Sequence, residues 1–237
     1  SIGHAAAFSF CQDKIITTGG EGGMFACNDP EVYKTAWAYK DHGKDFNKYN
    51  MPLDHPLVNK DKAAATTSYY TSVGTNWRMT EMQAAIGRIQ LKKLPKWIET
   101  RRRYSAMLDA AFSKINGLRV VIPPPHIYHA YYKYYVFIEP DRLKQDWNRD
   151  KIIQKINDKG IVCQFGSTWA IGMQEAWKNI QCLISGKQIQ CQQAAHLPGD
   201  YYAGSNILMF QVHPTLKMSD ISAIIEAVEK VLRGTVK

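Results

Sequence analysis

The 237-residue sequence has no apolar run near the roughly 20 residues that a membrane-spanning helix needs. No charged-then-apolar segment of the secretory kind stands at its start either. Cysteine is sparse: Cys11, Cys27, Cys163, Cys182 and Cys191 are odd in number and scattered, without a C-x-x-C pair or metal-ligand spacing. That pattern argues against a disulfide scaffold and a zinc site, so reduced thiols, no metal and a cytoplasmic location are expected. Internal repeats and low-complexity tracts are missing, as are helix-turn-helix, RNA-binding and zinc-finger signatures. Acidic residues are outnumbered, 21 against 30 Lys+Arg, for a formal charge of +9. Such an excess suits nucleic acid or an acidic small molecule. Its densest run, Lys92 through Arg103, lies in a helical pattern and reads as a solvated face. A small molecule is therefore the expected partner, with no nucleic acid and no membrane.

What the sequence does have is a lysine between an apolar run and a glycine-rich turn. Ala5-Ala6-Ala7-Phe8-Ser9-Phe10 has the small apolar character of a strand, and Gly19, Gly20, Gly22 and Gly23 follow within five residues. Glycine lets backbone pass where a Cβ would clash. Lys14, between the two, could be desolvated there and serve as a neutral nucleophile. The Ser9 hydroxyl and nearby N–H groups could grip a phosphate. An isolated lysine is ordinarily a solvated surface residue. The turn also has neither the Walker spacing nor a dinucleotide fingerprint.

The full pattern Ser9-Phe10-x-x-x-Lys14-x-x-x-Thr18-Gly19-Gly20-Glu21-Gly22-Gly23-Met24 is narrower, and it resembles the coenzyme-lysine segment of the DegT-type sugar aminotransferases. A second block, Gly74-Thr75-Asn76-Trp77-Arg78-Met79-Thr80-Glu81-Met82-Gln83-Ala84-Ala85, is similar to the same family. The resemblance implies a fold-type I scaffold using pyridoxal 5'-phosphate. Lys14 would be bonded to the coenzyme, Ser9 would bind its phosphate, and Asn76 would reach the coenzyme phosphate of a partner subunit. It further implies a homodimer with active sites at the interface. Lys14 would move a proton between an amino donor, commonly glutamate, and the coenzyme, after which a keto group of a nucleotide-linked deoxysugar is aminated. Such chemistry serves polysaccharide biosynthesis. A related dehydratase group carries histidine at the lysine position, so Lys14 favours the aminotransferase. Departures are Cys11 where histidine is frequent, and Trp77 in place of the commoner tyrosine.

Further residues stay open between two roles. Asn76 is a helix cap or turn residue when taken alone, and Arg78 a surface cation; Arg78 could instead grip a substrate phosphate. His213, in Gln211-Val212-His213-Pro214, matches a histidine near the family's substrate pocket and equally suits a satisfied structural role. His42, before Gly43, reads first as a turn residue and second as a substrate contact. His126, His129 and the tyrosines of 128–135 read as strand and core. Other readings of the whole are an aminotransferase acting on a non-sugar carbonyl, or a non-catalytic binding module of the same fold.

Patterning places strands at 5–10 and 24–27 and a helix over 31–40. The polar stretch 41–75, with Pro52 and Pro56, would in the family run beside a neighbouring subunit's active site. A helix capped by Thr80 and Gln83 should bury Met82, Ala85, Ile86 and Ile89 and break or kink at Pro95, with a second helix from Trp97 to Ile115. Strands are expected at 118–122, 131–139, 161–165 and 206–212, and helices at 149–157 and 219–232. The fold class is thus α/β, read as the C-terminal part of the scaffold: a remnant of the large α/β domain over 1–117 and a small α+β domain over 118–237. In the family a long portion precedes the lysine motif, so a truncated chain, inactive alone, is the expectation.

Overall fold

A computed structural model describes residues 3–49, 70–166, 175 and 198–237. Residues 50–69 of the polar stretch, and Cys182 and Cys191, lie outside the described residues. Packing divides the chain into two bodies, Ser1–Leu94 and Pro95–Lys237. The sequence expectation put a boundary at Gly117. Residues 95–117 pack with the later body because Tyr104, Leu108 and Phe112 sit in its core.

In the first body, β1 (Ala5–Ser9) pairs antiparallel with β2 (Gly23–Cys27), Ser9 opposite Gly23. Asp29 then caps α1 (Pro30–Lys40), its carboxylate accepting from Glu31 N at 2.8 Å and Val32 N at 3.2 Å, with Pro30 in the first turn. A short helix, α2 (Phe46–Tyr49), lays Phe46 edge-on against Trp37, with ring centroids 5.2 Å apart. The turn joining α1 to α2 depends on Gly43 (φ +79°). A Cβ there would lie 1.8 Å from the Ser72 carbonyl oxygen. Gly43→Ala should therefore cost at least about 2 kcal/mol, read as a lower denaturation midpoint.

The helix α3 (Glu81–Phe112) starts as the sequence indicates: Thr80 N donates to Gln83 Oε1 (2.9 Å) and Gln83 N donates to Thr80 Oγ1 (3.3 Å). Along it the expected break at Pro95 and the expected buried stripe are not found. Pro95 sits inside one continuous 32-residue helix instead of ending it. Proline forfeits one intrahelical bond, but the turns beyond it are tied into the second body's core by Tyr104, Leu108 and Phe112. Nor are Met82, Ala85, Ile86 and Ile89 buried: Met82 is 77%, Ile89 57% and Ile86 40% exposed. The helix instead turns Gln83, Gly87 and Gln90, a stripe at i, i+4 and i+7, toward the loop between β1 and β2.

The second body holds an antiparallel sheet of β3 (Leu118–Val120), β4 (Tyr134–Ile138), β5 (Cys163–Gln164) and β6 (Ile207–Phe210), in the order β3-β4-β6-β5. Tyr134 stands opposite Phe210 and Val136 opposite Val120, which aligns their side chains on one face. That face meets α4 (Arg149–Asn157) through Ile152 and Ile156, and α6 (Met218–Thr235) through Ile221, Ile224, Val228 and Leu232. Between them, α5 (Pro198–Asn206) precedes β6 and stacks Tyr202 on Phe137. The expected strand over 131–139 begins only at Tyr134, because Tyr131 takes a left-handed φ of +47°.

Candidate active site

Lys14 and Ser9 sit in one loop that is built largely from backbone hydrogen bonds. Phe10 N donates to Gly22 O (2.8 Å), Thr18 N to Phe10 O (3.2 Å) and Lys14 N to Cys11 O (3.1 Å). Thr18 is buried, and its hydroxyl donates to Glu21 O at 3.0 Å. A Cβ on Gly22 would fall 2.2 Å from that hydroxyl, so the close approach requires glycine. The α3 stripe completes the support: Thr17 N donates to Gln90 Oε1 (2.9 Å), and Gln83 Nε2 to Glu21 O (2.8 Å). The two glutamines satisfy loop groups that no strand serves. Sequence reasoning missed them, although Gln83-x-x-x-Gly87-x-x-Gln90 is a visible helical stripe.

The Ser9 hydroxyl is exposed at the end of β1 and accepts from Cys11 N at 3.3 Å. Lys14 Nζ lies 3.3 Å from Asp13 Oδ1, and its side chain is 36% exposed. The described residues therefore do not provide the expected desolvation. They leave a primary amine reachable on a braced loop, five residues from a hydroxyl. Amine and hydroxyl together fit a ligand with an aldehyde and a phosphate. An apolar cavity of about 450 Å³ lies nearby, lined by Phe8, Phe10, Ile16, Met24 and Leu91 among others, but not by Lys14 or Ser9. Among the described residues Arg88 is its one charged lining residue.

Asn76, Arg78 and His42 form a second group around Asp41, which the sequence reading did not single out. Asp41 is buried where α1 ends and forms an antiparallel bridge with Asn76. Its carboxylate accepts from Lys44 Nζ (3.2 Å to Oδ1) and closely from Arg78 Nη1. Burial by itself would raise the Asp41 pKa; hydrogen bonds and charge from Lys44, then Arg78, outweigh that and hold it below the usual carboxylate range. Asn76 Oδ1 accepts from Arg78 N at 3.4 Å, and Trp77 N donates to Lys40 O at 2.9 Å. Asn76 and Trp77 stand exposed on this braced segment. His42 has φ +62° and its N–H donates to Thr75 O at 2.8 Å, with the ring exposed.

His213 belongs to the second body. It is half-buried, with Nδ1 2.7 Å from Thr215 Oγ1. Burial, and then the charge of Arg101, push its pKa down, so the ring is neutral at neutral pH. Arg101 is itself buried and donates from Nη1 to Tyr131 O (3.1 Å) and Tyr132 O (2.8 Å). Of the tyrosines read as core, Tyr134 is buried, while Tyr128 is 70% exposed. Among the described residues no group of three or more His, Cys, Asp or Glu could hold a metal, and no helix is long and apolar enough to cross a membrane.

Comparison with known proteins gives a consistent picture. The solved aminotransferase of Psychrobacter cryohalolentis is 38% identical and superposes with a TM-score of 0.78 over 98% of this chain and 57% of its own. GDP-perosamine synthase of Caulobacter vibrioides is 32% identical over 168 residues, 68% of this chain and 38% of that protein. The dTDP-4-dehydro-2,3,6-trideoxy-D-glucose 4-aminotransferase of Saccharopolyspora spinosa is 28% identical over 171 residues, 70% of this chain and 40% of that protein. The chain thus spans little more than half the length of these relatives, or less. The mixed helix and sheet architecture is that of aminotransferase structures. Residues 1–229 match one family model, and the chain belongs to the DegT/DnrJ/EryC1/StrS aminotransferase family.

Proposed function

We propose that this chain carries the catalytic lysine of a pyridoxal 5'-phosphate-dependent aminotransferase that moves an amino group, with glutamate as donor, to a keto group of a nucleotide-linked deoxysugar. The observation that carries the reading is Lys14: a reachable amine five residues from Ser9, on a loop fixed by Gln83 and Gln90. The printed names of the relatives, which concern dTDP- and GDP-linked sugars, support the substrate class.

Bound pyridoxal phosphate supplies an electron sink for the donor's α-carbon. The protein's part is positional. Ser9 Oγ offers a hydrogen bond to the phosphate, and Lys14 Nζ holds the coenzyme and then, as a free amine, accepts and returns a proton. Asp41 fixes the segment that presents Asn76 and Arg78. With Asn76 exposed on that segment, it serves the phosphate site of a second copy, so the working unit is a homodimer, in the cytoplasm. Arg78 is the cation for a substrate phosphate, with His42 and His213 as further substrate contacts. We assign 1–117 to the coenzyme-binding portion and 118–237 to a small α+β domain, with residues 95–117 of the first portion packed into the core of the second.

The test is product formation. Full-length protein with pyridoxal phosphate, glutamate and a nucleotide-linked 4-keto-6-deoxysugar should yield a mass one unit above that of the keto sugar, with ¹⁵N from labelled glutamate recovered in it, whereas residues 1–237 alone should yield none. A product with no label would refute the donor, and no amino sugar from any keto sugar offered would refute the reading.

A further inference from the structure

Phe10 joins the near and far arms of the lysine loop: its N–H donates to Gly22 O at 2.8 Å, and its carbonyl accepts from Thr18 N at 3.2 Å. It follows Ser9 directly and lies four residues before Lys14. The position of the far arm therefore sets where the Ser9 hydroxyl ends up relative to the lysine turn. On that arm the Glu21 carbonyl accepts twice, from Thr18 Oγ1 at 3.0 Å and from Gln83 Nε2 at 2.8 Å. A chain of bonds thus runs from Gln83 through Glu21 and Gly22 to Phe10, beside Ser9.

The orientation of the Gln83 amide is forced, because a backbone N–H only donates and a carbonyl only accepts. Its Oε1 takes Thr80 N (2.9 Å) and Thr80 Oγ1 (3.1 Å), which leaves Nε2 for Glu21 O. Local chemistry would prefer glutamate here. A carboxylate would accept from Thr80 N equally and would add negative charge at the positive end of α3. It has no N–H for Glu21 O. Glutamine forgoes a local gain to serve a carbonyl 62 residues away, and departures of this kind gather at functional sites. Helix and loop also meet closely. A Cβ on Gly87, one turn after Gln83, would lie 3.0 Å from Thr18 Cγ2, and one on Gly19 would lie 2.8 Å from Ile86 Cδ1.

We propose that Gln83 is a positioning residue, which through the Glu21 carbonyl holds the Ser9 hydroxyl and the Lys14 amine at the separation that pyridoxal phosphate requires. The ligand in this proposal rests on the aminotransferase reading above; the bond chain from Gln83 to Phe10 does not. Gln83 acts through the loop, so its loss shows in loop opening and in coenzyme affinity together.

Gln83→Glu is the informative variant, since it keeps the cap on Thr80 and loses only the donor. In full-length protein without coenzyme, hydrogen exchange of the peptide spanning 9–18 should quicken about tenfold, while the peptide spanning 80–90 exchanges as in wild type. The dissociation constant of pyridoxal phosphate, read from the absorbance of coenzyme bound at Lys14, should rise about tenfold. Asp29→Ala separates position from stability. It removes the cap of α1 and should melt lower, yet leave both the exchange of 9–18 and coenzyme affinity unmoved. Gln83→Met, which fills similar space without hydrogen bonds, keeps the test alive should Gln83→Glu unfold, as thermal melts would reveal. Exchange of 9–18 or coenzyme affinity unmoved in the folded variant would overturn the role, as would equal losses in Asp29→Ala. Borohydride tagging of Lys14 by pyridoxal phosphate is read on the same samples. A wild-type tag with Gln83→Glu behaving as wild type sinks the positioning role and leaves the aminotransferase reading. A wild type without the tag sinks that reading and the coenzyme role of Gln83 with it.

Discussion

Replacing Lys14 with alanine should lower transamination by about 10⁴-fold or more, and replacing it with arginine should do the same. General acid–base catalysis alone contributes about 10²–10⁴-fold, and in the proposed function the same amine would also hold the coenzyme. Arginine is the informative variant. It keeps the positive charge beside Asp13, but a guanidinium does not give up its proton in a protein and is no nucleophile. If Lys14 served only as a cation opposite Asp13, 3.3 Å away, Lys14→Arg would stay active. Borohydride reduction in the presence of pyridoxal phosphate should place a pyridoxyl mass on the wild-type peptide containing Lys14 and on neither variant. The side chain is 36% exposed, so both variants should melt within about 0.5 kcal/mol of wild type, which separates lost chemistry from lost fold. An active Lys14→Arg protein would end the assignment.

The parts of the molecule that were legible in its residues are those fixed locally. The helices expected over 31–40 and 219–232 and the Thr80/Gln83 start of α3 each use chemistry within a few residues, and each forms as read. The readings that failed depend on what a segment meets at a distance. Pro95 is tolerated because tertiary packing outweighs a local penalty. Met82 and Ile89 look like a buried stripe, yet the helix gives its polar stripe to a loop that needs hydrogen bonds. In the site, the lysine loop could be recognised because its spacing is short and dense. Asp41 could not, since its partner Arg78 lies 37 residues away and Asp-His-Gly reads simply as a turn. Nor does any local pattern announce that Tyr131 would be pulled into a left-handed conformation by Arg101, 30 residues earlier.

Asp41→Ala should destabilise the chain by about 2–3 kcal/mol, and Arg78→Ala by no more than about 1 kcal/mol. An acidic residue where α1 ends opposes the helix dipole, so local structure does not explain Asp41. Its carboxylate instead joins Lys44, four residues from the end of α1, to Arg78 on the segment bearing Asn76. Removing one member of a buried pair costs about 3–5 kcal/mol when the stranded charge stays dry. Arg78 is 44% exposed and can return to water, whereas Lys44 is only 16% exposed, which sets the value at the lower end. Arg78→Ala leaves the Asp41–Lys44 pair in place, so it loses only a partly screened contact. The pH dependence follows from the direction of the shift. In the folded chain Asp41 titrates below its ordinary 3.8, so as pH falls the unfolded chain binds the proton first. The stabilisation is complete above about pH 5 and is lost as pH drops through the folded value. Asp41→Asn should therefore melt lower than wild type at pH 7 and converge with it as pH falls below 3.8. Parallel melting curves for the two proteins across that acid range would show that the carboxylate is not held by its two cations. Because Asn76 bridges to Asp41, the same substitution should raise KM for pyridoxal phosphate while leaving the pyridoxyl tag on Lys14.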